Sequence, residues 1–216
     1  VAGAKLPTAG IESTLTSTGL ASNMCILKGF PTALAKNATD ASDYPFGLWF
    51  ANPTTLYVAD EGAGDNTYAN GSYTAAAAST TAGLQKWVYS STAGQWELAY
   101  TLQNGLKLGA PYTVRGYPTG VNSVTGLPWA PATDGLRNLT GQVDRDGTVS
   151  IWAVTSTVSG GGDQGADPNQ LVEITDSLKA TAPSSREGFR TVVPALYNQV
   201  VRGVSFTPGT GGFDGR

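Results

Sequence analysis

A strand pair appears twice in this chain and begins a third time near the C-terminal end. Residues 46–60 read FGLWFANPTTLYVAD, residues 139–155 read LTGQVDRDGTVSIWAVT, and residues 202–208, RGVSFTP, start the pattern and stop. In each full copy a Gly-containing apolar run meets a short turn and then a β-rich run, which is how one sheet of a radial repeat looks in sequence. The expectation is all-β: a β-propeller or partial β-propeller built of antiparallel four-stranded blades, possible as a fragment or one half of a larger ring.

The rest of the chain is read around those copies. Residues 46–50 and 55–59 predict a hairpin across Asn52-Pro53, and residues 83–89 and 95–102 a second around Ser91 to Gly94. Trp96, Leu98, Tyr100 and Leu102 alternate with Glu97, Ala99 and Thr101, the clearest period-two run present. Residues 46–102 then make one blade. Residues 135–193 make a second, with Val149, Ile151 and Ala153 opposed to Ser150, Trp152 and Val154, and residues 201–208 open a third. Residues 60–82 lack periodicity and predict a long exposed loop, the Pro-rich 104–134 a crossing or inserted loop, and 1–34 an extended arm with a strand before Pro31. All of 1–216 is taken as one propeller-type domain. Blades of roughly 40–50 residues give four at most from this length. The chain is therefore expected to be part of a longer polypeptide, unless a second chain or the N-terminal region completes the ring.

Composition removes several functions. Charged residues are 13% of the chain and the net charge is −3, so there is no electrostatic footprint for nucleic acid. No stretch approaches the roughly 18 apolar residues of a membrane span. With no histidine in 216 residues, a Ser-His-Asp triad, a Cys-His dyad and a His-bearing zinc site are all impossible. Carboxylate, Lys or Tyr chemistry and oxygen-bound hard cations remain. The lone Cys25, in MCILKGF, reads as a small buried hydrophobe. Low charge, abundant Thr, Ser and Gly and a single Cys favour an extracellular or cell-surface location.

Two loops in corresponding positions, DEGAGDN (60–66) and GGDQGADPN (161–169), are rich in Gly and carboxylate and should share a rim. Asp60, Glu61, Asp65, Asp163 and Asp167 are the candidate calcium ligands, because calcium takes six to eight oxygens and Gly lets backbone carbonyls turn inward. The competing reading is solvated loop carboxylates folded into Asx-turns. Asp144 to Gly147 (DRDG) reads as the tight turn of a hairpin rather than a metal motif.

Trp49, Trp87, Trp96, Trp129 and Trp152 offer a stacking surface for a glycan or matrix ligand or, alternatively, fill the space between blades. Trp129, in LPWAP, has no strand pattern to bury it and leads the ligand candidates. Lys86, Arg115, Arg137 and Arg202 are candidates for carboxylate or phosphate recognition if they converge, and otherwise form ion pairs or cover apolar surface. Asn37, Asn70 and Asn138 head glycosylation sequons.

FGLWFANPTTLYVADEG, GLQKW with WELAYTL, GLRNLTG with DGTVSIWAVTS, DQGADPN and RGVSFTP, in that order over residues 24–208, resemble a group of secreted propeller-like microbial proteins without an established activity. The resemblance implies the fold and an exported location and brings no catalytic residues. Three functions are open: a binding or assembly module at the cell surface, which leads; a calcium-dependent hydrolase of phosphoesters or lactones on the acidic rim; and a structural subunit of an extracellular fibre or sheath.

Overall fold

The structure, a computed structural model, describes residues 27–31 and 43–207. The chain is all-β. Four strands, β1 (Pro45–Asn52), β2 (Thr55–Asp60), β5 (Gly83–Ser90) and β6 (Gln95–Leu102), form one antiparallel sheet in the order β1-β2-β5-β6. A second sheet runs β10-β9-β8-β7, from β7 (Ala132–Val143), β8 (Thr148–Val158), β9 (Leu171–Ser177) and β10 (Arg190–Val193). Each is a meander in chain order, and β1 lies alongside β7. The two sheets close no ring among the described residues. No helix among them is long and apolar enough to cross a membrane.

The alternation within the strands decides which sheet faces meet. Tyr57, Ala59, Leu84, Tyr100 and Leu102 of the first sheet pack against Leu136, Val149, Ile151, Ala153, Val172 and Ile174 of the second, with Leu106 and Phe189 closing the ends. This is the main core. Trp49 reaches its edge, where Gly141 leaves room for the indole: a Cβ there would stand 2.8 Å from the ring.

The expected period-two run in β6 is broken in the middle. Lys86 pairs with Tyr100 but Trp87 pairs with Leu98, so Ala99 is an extra residue, a β-bulge. Tyr100 and Leu102 therefore face the main core, while Trp96 turns to the opposite face and joins Leu56, Val58 and Trp87 there. A one-residue insertion has moved half the strand to the other side of its sheet.

Among the described residues, little covers that opposite face. Phe30 stacks on Trp87 at 4.0 Å, and the Lys28 carbonyl accepts the Trp96 amide at 2.8 Å, so residues 27–31 cross one corner. Gly29 permits the crossing, because a Cβ there would overlap the Trp96 carbonyl oxygen. Phe46, Leu48 and Phe50 stay 46%, 56% and 45% exposed, and with Leu27, Phe30, Pro31, Pro45 and Val58 several of them border a cavity of about 340 Å³. The outer face of the second sheet is of another kind. Thr140, Gln142, Ser150, Glu173 and Thr175 line it by register, Arg190 holds Glu173, and Trp152 is capped by Phe206 at 5.3 Å.

Two sequence expectations are corrected here. Residues 60–82 are not one long exposed loop: Tyr68–Ala69 (β3) and Ser72–Tyr73 (β4) form a hairpin on the Asn70-Gly71 turn, followed by a helical turn, α1 (Thr74–Ala78). Tyr73 and Ala76, with Ala132 and Val158, make a small core of their own that the lack of sequence periodicity concealed. Residues 201–207 open no further sheet among the described residues. They run extended across the second sheet, where side-chain amides take up backbone groups a neighbouring strand would have paired: Asn169 brackets the Val201 N–H and C=O, and Asn138 donates to the Arg202 carbonyl.

Candidate functional site

The two Gly- and carboxylate-rich loops meet at one end of the sheet interface, around a buried carboxylate. Asp134 of β7 is 1% exposed, and its Oδ2 accepts from the Gly64 amide at 2.8 Å and from Gln164 Nε2 at 2.5 Å. Gln164 also donates to the Glu61 and Gly62 carbonyls. Gly62, at φ +81°, is required, since a Cβ would stand 2.6 Å from the Asp134 carboxylate. Burial pushes the Asp134 carboxyl up to about 6, against the pull of the two bonds it accepts.

Asp60, at the end of β2, is fully buried beside this cluster. Its carboxylate accepts from the Tyr44 amide at 2.7 Å, the Gly62 amide at 2.9 Å and Gln85 Nε2 at 3.2 Å. Burial raises its pKa, and the Tyr44 and Gly62 amides oppose the rise. Glu61 instead pairs with Arg137 Nε at 2.8 Å, and the Arg137 guanidinium stacks over the Phe46 ring.

The proposed calcium set is not gathered. Asp65 and Asp163 are exposed and accept the Thr67 and Gly165 amides two residues on, as Asx-turns do, and the Thr67 bonds hold Asp65 below its usual range. Asp167 is buried elsewhere, accepting the Tyr117 hydroxyl. No three Asp, Glu, Cys or His among the described residues stand together as metal ligands. Asp65 and Asp163 are used by their own loops' amides, while Asp60, Glu61 and Asp167 are engaged by separate donors from other segments, so the five are not turned toward a common point. DRDG is a turn: the Gly147 amide bonds back to Asp144 C=O, and Asp146 accepts from Thr148.

The four basic candidates do not gather at one site; only Arg137 and Arg202 come together. Lys86 is sealed between the sheets, and Arg115 is exposed on the segment that follows Val114. Arg202 and Arg137 border one small cavity of about 80 Å³ with Asn138, Asn169 and Phe46. Among the sequons, Asn37 lies outside the described residues. Asn70 is exposed at its hairpin tip, whereas Asn138 sits within β7 with its amide engaged on Arg202.

Trp129 lines a cleft of about 240 Å³ with Tyr112, Tyr117, Pro111, Pro118 and Pro131. The Tyr112 hydroxyl donates to Pro168 C=O at 2.7 Å, and the Tyr117 hydroxyl engages Ser159 and Asp167, so both rings are fixed from behind. No charged side chain lines the cleft. Trp129 itself stacks against Gly160, where a Cβ would stand 2.6 Å from the indole.

Sequence reasoning missed Asp134 and Gln164. The triplet Thr133-Asp134-Gly135 has the look of turn chemistry, and nothing local marks it as mid-strand and buried. Family models, curated proteins and solved structures were all compared with the chain, and none matches it.

Proposed function

We propose that the chain is a secreted or cell-surface β-propeller-type module that works by assembly, its two four-stranded meanders being neighbouring blades. The observation that supports this most is the apolar outer face of the first sheet. Phe46, Leu48, Phe50, Leu98 and Tyr89 are each more than a third exposed on a face whose buried members are Leu56, Val58, Trp87 and Trp96. A patch of contiguous large apolar side chains on a sheet marks an association surface, and blades of a radial fold stack by such faces. The meander order and the side-by-side placing of β1 and β7 suit that reading. The occupant is a second apolar sheet face, and light scattering of the purified chain should report a multimer. Leu48→Lys with Phe50→Glu should give a folded monomer. A wild-type monomer at every concentration would remove the reading.

The cleft at Trp129 favours a second, compatible role. Its uncharged lining and two anchored tyrosines suit a neutral, ring-bearing ligand such as a saccharide, which stacks on aromatic faces at little ordering cost. Titration with neutral oligosaccharides, followed by tryptophan fluorescence, should give saturable binding that Trp129→Ala weakens about tenfold or more. An Ala variant that binds as well as wild type excludes the cleft.

A further inference from the structure

We propose that Lys86 and Asp176 condense into an intramolecular amide that joins the two sheets covalently. Lys86 is on β5 and Asp176 near the end of β9, and their side chains, both 0% exposed, meet at 3.3 Å between Nζ and Oδ2, beside Tyr57 and Tyr100 of the main core. Nothing in the assembly role described above uses them. Two groups held in contact react as if at an effective concentration of about 10⁵ M or more, and water excluded from the site cannot reverse the step.

The surroundings supply each element the condensation needs. Nζ donates to the Ser177 carbonyl at 2.7 Å and the Ala180 carbonyl at 3.0 Å, which fixes two of its protons away from Asp176. Its third direction meets the Tyr100 hydroxyl at 2.9 Å, and that hydroxyl in turn donates to Asp176 Oδ1 at 2.8 Å. Tyr100 therefore bridges ammonium and carboxylate. A proton passes from Nζ to the Tyr100 oxygen as the phenolic proton passes to Asp176, which leaves an amine and a carboxylic acid with no change in total charge. Burial lowers the Lys86 pKa and so favours the amine, although Asp176 opposes the shift.

The Nζ lone pair then forms a bond to Asp176 Cγ. Charge on the carboxyl oxygens is met by the Tyr57 hydroxyl, 2.6 Å from Oδ2, and by the Ser177 amide, 2.7 Å from Oδ1. A second Nζ proton reaches the departing hydroxyl and the Cγ–O bond breaks, releasing water. The products are one amide and one water, with no oxidant or cofactor required. The remaining N–H keeps one of the two backbone carbonyls.

Intact-mass measurement of the purified full chain decides the matter. The expected mass is below the sequence mass by one water, about 18 Da, with a branched peptide carrying Lys86 and Asp176 in the digest. Lys86→Arg should retain the full mass, and Tyr100→Phe should slow condensation about a hundredfold as the relay is lost. A wild-type chain that holds its full sequence mass after prolonged incubation, with both residues recovered in separate peptides, overturns the proposal and leaves a plain buried ion pair. That result needs no variant to fold.

Discussion

At the scale of single residues, Asp134 sets a pH dependence whose sign follows from its surroundings. Its carboxyl rises from 3.8 to about 6 in the folded protein, so the native state binds this proton more tightly than the unfolded chain. The group favours folding most below its unfolded pKa, and that contribution declines as pH rises through 6. Denaturant unfolding at pH 4.5 and at pH 7.5 should show wild type losing about 2 kcal/mol more across this interval than Asp134→Asn. Equal losses in the two proteins would mean that the carboxyl is not perturbed. The same residue marks a limit on what the chain discloses in one dimension. Asp60 and Glu61 stood out because they crowd a Gly-rich loop, whereas Asp134 becomes special only when β7 brings it against Gly62, Gly64 and Gln164, residues 30 to 72 positions away.

At the scale of elements, the strands were legible and their irregularities were not. The hairpins at 46–60 and 83–102 and the alternation in β8 follow from apolar period and turn chemistry, and the structure has them within a residue or two. The Ala99 bulge is invisible to that reasoning, since WELAYTL alternates as well with it as without it. Residues 201–207 show the converse, a strand-like sequence held outside a ladder by amide side chains. Asn169 is the principal clamp, with its Oδ1 accepting the Val201 amide and its Nδ2 donating to the carbonyls of Val201 and Thr155. Asn169→Ala should therefore cost about 1–3 kcal/mol of stability, because it leaves buried backbone groups unpaired. Limited proteolysis should cut the variant first between 200 and 207. Unchanged cleavage rates there would show that Asn138 and the Trp152–Phe206 contact hold the segment without Asn169.

At the scale of the whole molecule, the two sheets share one apolar interface, yet their outer faces are opposites. Phe46, Leu48 and Phe50 stand out from the first sheet, while the second turns Gln142, Ser150 and Glu173 to solvent and has its tryptophan capped. Sequence reasoning treated the two copies as equivalent wedges. It had no means to see the difference, because Phe46 and Leu48 look like core residues until their neighbours are counted.

In the assembly proposed above, this inequality of the two outer surfaces sets how growth proceeds. The first sheet's oily surface can be met by that same surface on another copy, so a head-to-head pair covers both. Such a pair is finished. Particles of fixed size, rather than filaments that lengthen with concentration, are the form the proposed pairing predicts.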